Sequence, residues 1–116
     1  MYLSDTTMLC GGSTTNFLAL GAQAILWTTG SAAMDSELIP TLKVSGNKLL
    51  INDDIDVDAS DMLARIVTKE DVAERIIDNL VEIINGKSTN TEGYSSAFLT
   101  LYQKDPRVEN IIKCRY

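Results

Sequence analysis

The residues of this chain best able to do chemistry are five aspartates crowded into positions 53–61: Asp53, Asp54, Asp56, Asp58 and Asp61. Alternating carboxylates are typical of calcium loops, and Asp54, Asp56 and Asp58 fit positions one, three and five of such a loop. Ala59 then stands where the loop needs glycine, and Arg65 stands where a glutamate should complete the ligand shell. The pattern leaves three alternatives open: weak cation binding, an acidic patch that docks on a basic partner, and a solvated loop.

Catalytic motifs are few, because the chain has no histidine. This excludes a Ser-His-Asp triad, a Cys-His pair and an H-E-x-x-H zinc site. Acid-base chemistry would need a carboxylate, lysine or tyrosine whose pKa is shifted by burial. Residues 11–15 offer backbone N–H groups and hydroxyls ahead of an apolar run, as in an anion site, but no Walker lysine follows them. We expect no catalytic residue, metal site or cofactor, and we favour a protein that is not an enzyme.

Charge and cysteine content bear on partners and location. Ten basic and sixteen acidic residues give a net charge of -6, which opposes binding to nucleic acid or to an anionic membrane. Cys10 and Cys114 lack C-x-x-C spacing, and no basic residue precedes the first apolar run, as it would in a secretory signal. We therefore expect a cytoplasmic protein. Its expected partner is another protein, namely a second copy of the same chain, and we expect it to bind no small-molecule ligand.

The N-terminal third carries almost no charge, since Asp5 is its only charged side chain up to Met34. A helix is predicted from Thr15 to Trp27, although an apolar run of this kind also suits a buried strand. The predicted apolar contact surface for subunits consists of three side chains: Phe17, Leu20 and Trp27.

The middle of the chain predicts a β-hairpin. Gly46 and Asn47 tolerate the positive φ angles of a two-residue turn, and alternating apolar residues flank them. In that register Val44 faces Leu49 on one side of the sheet.

Helices are predicted after the aspartates. A short helix should begin at Asp58 or Ser60, and Thr68 should cap a long amphipathic helix that ends at Gly86. A further amphipathic segment, with apolar residues at helical spacing, runs from Tyr94 to about Lys104. The tail from 106 to 116 fits a helix start or a third strand. From Lys104 onward the chain is locally basic, with Lys104, Arg107, Lys113 and Arg115.

These elements predict an α+β fold: a small antiparallel sheet, built on the hairpin with a possible C-terminal third strand, packed against two or three helices. We expect one domain over residues 1–116. It would comprise a low-charge segment with a buried helix (1–34), the hairpin and acidic loop (37–57), and a helical part with a basic tail (58–116).

The end of the chain, with Asp105-Pro106-Arg107-Val108 between a helix and an alternating segment, resembles the end of small wedge proteins of contractile phage baseplates. The resemblance covers only this end and implies a structural role in a virus particle. The sequence thus predicts a self-associating assembly protein without enzymatic activity. The alternatives are a monomeric acidic inhibitor or adaptor that docks its aspartates on a basic surface, and a small metal-dependent enzyme.

Overall fold

The computed structural model of the protein describes residues 10–30 and 38–94. Within them the elements in chain order are helix α1 (Cys10–Ala19), strand β1 (Ile25–Thr29), strand β2 (Thr41–Ser45), a 3₁₀ helix (Lys48–Leu50), strand β3 (Val57–Asp58), helix α2 (Ser60–Leu63) and helix α3 (Lys69–Ile84). The α+β class predicted from the sequence is confirmed. The predicted helix up to Lys104 and the tail of the chain lie outside the described residues.

The sheet is parallel, with strand order β1-β2-β3, so the predicted antiparallel hairpin is wrong. Asn47 is extended, with φ of -98°, and its side chain caps the 3₁₀ helix by accepting the N–H of Leu49 at 3.0 Å. Val44 pairs with Val57 and with Thr28, and Leu49 is 93% exposed. Glycine suits position 46 because of packing: a Cβ there would lie 2.7 Å from Cδ1 of Leu63.

The predicted helix from Thr15 to Trp27 is also corrected. Helix α1 ends at Ala19, and Gly21 follows it with φ of +87°. Bonds from Gly21 N–H to the Leu18 carbonyl and from Ala22 N–H to the Phe17 carbonyl, both 2.9 Å, close the helix as in a Schellman motif. The rest of the apolar run is β1, whose aromatic and β-branched residues suit a strand.

The core lies between the sheet and α3. It comprises Leu42, Val44, Val57, Ala59, Val72 and Ile83. Strand β2 is buried along its whole length, as is typical of a central strand in a parallel sheet. Of the helices in the described ranges, none has the length and apolar character needed to cross a bilayer. The proposed division of the chain into segments stays a prediction.

Helix α3 begins and ends as its sequence predicts. The Thr68 hydroxyl accepts the Asp71 N–H at 3.2 Å, while the Asp71 carboxylate accepts the Thr68 N–H at 2.8 Å, forming a capping box. At the other end Gly86 adopts φ of +98°. Two hydrogen bonds with Thr68 lower the pKa of Asp71 below its ordinary value. The bond with the Thr68 hydroxyl has the larger effect, and the bond with the Thr68 backbone N–H has the smaller one.

Thr68→Ala is expected to lower the free energy of unfolding by about 1 kcal/mol, because the Asp71 N–H in the first turn of α3 loses its hydroxyl acceptor. An acid with a lowered pKa stabilises the fold above its unfolded pKa, and this contribution is lost as the pH falls through the folded pKa. The variant should therefore lose less stability than the wild type on acidification. Urea unfolding of both proteins at neutral and acidic pH checks this, and identical acid sensitivity would contradict it.

Candidate functional site

The carboxyl ends of the three parallel strands meet at one edge of the sheet. Thr29 and Gly30 end β1, Ser45 ends β2, and Asp58 ends β3. In open parallel sheets, ligands bind in the crevice outside these ends, where loops present backbone and side-chain polar groups. This edge is therefore the candidate functional site of the described chain.

Hydrogen bonds hold these strand ends together. The Asn47 amide donates to the Gly30 carbonyl at 3.0 Å, which joins the end of β1 to the loop after β2. The Ala59 N–H donates to the Ser45 carbonyl at 2.8 Å, which joins the end of β3 to β2. Asn47 thus serves both as the cap of the 3₁₀ helix and as the link between two strand ends.

A groove of about 550 Å³ opens between these strand ends and the first turns of α3. Its floor is apolar and includes Val44, Ala59 and Val72, all buried. The polar side chains that line it are Thr28, Thr29, Asn47 and Lys69. The groove therefore offers an apolar base with hydroxyl, amide and ammonium groups, which suits a small polar molecule with a hydrocarbon skeleton.

Lys69 is notable for its position in the first turn of α3. A cation there opposes the helix dipole, which favours acids at this end. Its ammonium group lies 3.7 Å from the Glu70 carboxylate and its side chain is 82% exposed, so the ion pair contributes little to stability. An anionic ligand in the groove would find this ammonium group accessible.

Asp58 lies at the same edge of the sheet, beside the groove. Its pKa is lowered by the Ser60 hydroxyl first and by the Ser60 N–H, at 2.8 Å, second; desolvation opposes this shift, and the charges of Lys48 and Arg75 reinforce it. Arg75 also donates to the Asp58 carbonyl at 3.2 Å.

The aspartates of the predicted patch have different partners in the structure. Asp54 accepts a bond from the Tyr94 hydroxyl, Asp56 binds two backbone N–H groups, and Asp61 lies 4.0 Å from Lys48. Asp53 lies exposed in the turn before β3. Within residues 10–30 and 38–94, no group of three or more acidic or cysteine side chains is placed to hold a metal ion. A partner-binding role for these five aspartates stays a prediction.

The predicted apolar surface is likewise divided between elements. Phe17 lies in the last turn of α1 and is half-buried, Leu20 directly follows α1 and is 65% exposed, and Trp27 lies in β1. Their contact with another subunit stays a prediction. Residues 11–15, which the sequence placed ahead of a helix, lie inside α1.

Sequence reasoning missed a buried lysine at the centre of the sheet. Lys43 is 0% exposed, and its ammonium group donates to the hydroxyl of Thr91, which is 2% exposed. It shares one face of β2 with Thr41 and Ser45, since alternate residues of a strand point the same way. The signal in the sequence is a lysine inside a strand-like run of apolar residues.

The fold is therefore an α+β domain with an open parallel sheet, whose crevice at the carboxyl ends of the strands carries hydroxyl and ammonium groups at its rim. The family model described as D-galactarate/altronate dehydratase, C-terminal, matches residues 1–106. The chain belongs to this family. No curated protein and no solved structure matches the chain significantly.

The family corrects the function predicted from composition. A self-associating assembly protein without enzymatic activity, or a component of a virus particle, is wrong, because the family points to an enzyme domain. The two alternatives, an acidic inhibitor or adaptor and a small metal-dependent enzyme, are also wrong, because the chain belongs to a family of dehydratase domains. Composition alone does not distinguish a segment that is apolar because it contacts a partner from one that is buried in its own fold, as Ile25 is at 7% exposed.

Proposed function

We propose that this chain is a domain of a sugar-acid dehydratase and that its groove binds the substrate. The observation that carries the proposal is the match of residues 1–106 to the C-terminal part of the D-galactarate and altronate dehydratases. This departs from the expectation that the chain takes no small-molecule ligand. The cytoplasm remains the proposed location, and a domain of a sugar-acid dehydratase family is compatible with it.

The groove fits this class of substrate. A sugar acid carries a carboxylate and a row of hydroxyl groups on a carbon chain. The Lys69 ammonium group provides a charged donor for the carboxylate, and Thr28, Thr29 and Asn47 provide groups that bond hydroxyls. The apolar floor provides a surface for the C–H groups of the sugar chain.

Dehydration removes a proton from the carbon next to the carboxylate and a hydroxide from the following carbon, which together leave as water. The electron pair of the C–H bond forms the double bond, and the resulting enol becomes a ketone. A cation at the carboxylate stabilises the negative charge that develops as the proton leaves. In this proposal Lys69 binds and orients the carboxylate, while the group that removes the proton is left unassigned.

Lys69→Gln is expected to weaken D-galactarate binding about tenfold, because the variant loses one charge-assisted hydrogen bond. Its thermal stability should be unchanged or slightly higher, since a cation is removed from the start of α3. Calorimetric titration of the chain with D-galactarate measures the effect.

Two controls accompany the titration. Lys87→Gln removes an exposed lysine just beyond the other end of α3 and should leave the affinity unchanged. Galactitol, which has the hydroxyls but no carboxylate, should bind much more weakly than D-galactarate. Wild-type affinity in Lys69→Gln would exclude this groove as the site, and a chain that binds neither D-galactarate nor altronate would overturn the proposed function.

A further inference from the structure

Asn47 forms hydrogen bonds through both ends of its side-chain amide. Its carbonyl oxygen accepts the Leu49 N–H at 3.0 Å, and its amide nitrogen donates to the Gly30 carbonyl at 3.0 Å. Its backbone N–H donates to the Ser45 hydroxyl at 3.2 Å, and Ser45 is 0% exposed. One residue therefore ties the end of β1 to the segment that follows β2.

Helix capping alone does not explain an asparagine at position 47. Serine, threonine and aspartate also accept the N–H groups at the start of a helix. The backbone gives no reason either, because a φ of -98° suits any residue. Among the capping residues, only asparagine accepts with one side-chain atom while it donates with another. The bond to Gly30 is therefore what distinguishes asparagine at this position.

This bond acts on a strand end that packing holds only weakly. Strand β1 pairs with β2, and within the described residues no strand pairs with its other side. Gly30 is exposed, and a Cβ there would have no atom within 4 Å. Strand ends with few contacts open at a low cost in free energy. The bond from Asn47 therefore restrains the end of β1.

The restrained end of β1 forms one wall of the groove. Thr28 and Thr29 line it there, and Lys69 lines it from the start of α3. A ligand that bonds the hydroxyls and the ammonium group together needs these two walls at a fixed separation. Groups that are held in place before the ligand arrives lose less entropy on binding. The position of the end of β1 therefore bears directly on affinity.

We propose that Asn47 is a positioning residue, whose bond to Gly30 holds Thr28 and Thr29 where they contact the sugar acid. The inference rests on the proposed function of the groove. It concerns the N–H that binds Gly30, whereas the second N–H of the same amide is the one that can reach a ligand hydroxyl. Loss of the bond to Gly30 should lower affinity although both threonines and Lys69 are unchanged.

Asn47→Asp changes this bond in a pH-dependent way. The variant keeps an acceptor for the Leu49 N–H, but at neutral pH its second oxygen faces the Gly30 carbonyl without a proton between them. Protonation supplies an O–H donor and restores the bond. Calorimetric titration with D-galactarate should give an affinity about tenfold below that of the wild type at pH 7 and within about threefold of it at pH 4.

Two control variants accompany this titration. Asn47→Leu is uncharged, is close in size and forms neither side-chain bond, so its affinity should stay about tenfold below that of the wild type at both pH values. Once Asn47→Asp is protonated, both variants are neutral, and repulsion of an anionic ligand cannot explain a difference between them. Asn79→Asp changes an amide that donates to the Arg75 carbonyl, away from the groove, and should leave the affinity unchanged.

The wild type, measured at each pH, corrects for the other charges and for protonation of the ligand. The charged side chains on the elements around residue 47 are Lys48 in the 3₁₀ helix, Asp61 of α2 at 4.0 Å from Lys48, Asp58 at the end of β3, and Lys69 of α3. Strand β1 has no titratable side chain. Because the wild type carries all four, the ratio of affinities at one pH isolates the change at position 47.

Amide hydrogen exchange of the full chain without ligand tests the bond to Gly30 separately. Residues 28–30 should exchange at least about threefold faster than in the wild type in Asn47→Leu, and in Asn47→Asp at pH 7 but not at pH 4. The Leu49 amide keeps its acceptor in Asn47→Asp and should exchange faster only in Asn47→Leu.

The outcomes separate this inference from the proposed function. Wild-type exchange of residues 28–30 in Asn47→Leu would overturn the inference while D-galactarate still binds the wild type. An affinity of Asn47→Asp that is equally low at pH 7 and pH 4 would overturn it as well. A wild type that binds neither D-galactarate nor altronate would instead overturn the proposed function, on which the inference rests.

Discussion

Asp56→Ala is expected to lower the free energy of unfolding by about 2–3 kcal/mol. This is the largest loss of stability that we expect from replacing any one of the five aspartates by alanine. One carboxylate oxygen of Asp56 accepts the Lys43 N–H and the other accepts the Asn90 N–H, each at 2.8 Å. Removing the carboxylate leaves the partly buried Lys43 N–H without this acceptor, and hydrogen bonds to charged groups contribute more than neutral ones. The same side chain joins the central strand to the loop after α3. Urea unfolding measures the loss.

Asp53→Ala is the matched control, because it removes a neighbouring acid from an exposed turn and should change stability by less than about 0.5 kcal/mol. Asp56→Asn keeps one acceptor oxygen and should fall between the two. Equal effects of Asp53→Ala and Asp56→Ala would show that the aspartates act through their summed charge and not through individual bonds.

Thr91→Val is expected to cost about 1.5–3 kcal/mol, because it takes a hydroxyl acceptor from the fully buried Lys43 ammonium group. Valine has nearly the shape of threonine, so packing changes little and the effect reports the loss of the hydroxyl. Thr91→Ser keeps the hydroxyl and loses only a methyl group. It should therefore retain most of the stability.

Amide hydrogen exchange tests the contact between Lys43 and Thr91 independently of the unfolding measurements. In Thr91→Val the amides of residues 89–94 should exchange faster than in the wild type, because this loop loses a link to the sheet. If Thr91→Val is as stable as Thr91→Ser, Lys43 does not depend on this hydroxyl, and the loop is held by the bonds of Asn90 to Asp56 and to the Ile55 carbonyl, the latter at 3.0 Å.

What the sequence determined by itself is local. The capping box of Thr68 and Asp71, the apolar spacing of α3 and the glycine that ends it are all encoded within one stretch of chain. Their interactions join residues a few positions apart, so they can be read without knowing the rest of the fold. The α+β class follows from such local elements and is confirmed.

What only the tertiary structure decided is how distant segments meet. Leu26 and Leu42 pair as neighbours in parallel strands, a relation that no turn signal near Gly46 could show. The burial of Lys43 depends on Thr91, which is 48 positions away. The groove forms because three strand ends and one helix converge there. Strand direction and the burial of a polar side chain depend on long-range packing, and in this protein that packing places the candidate site.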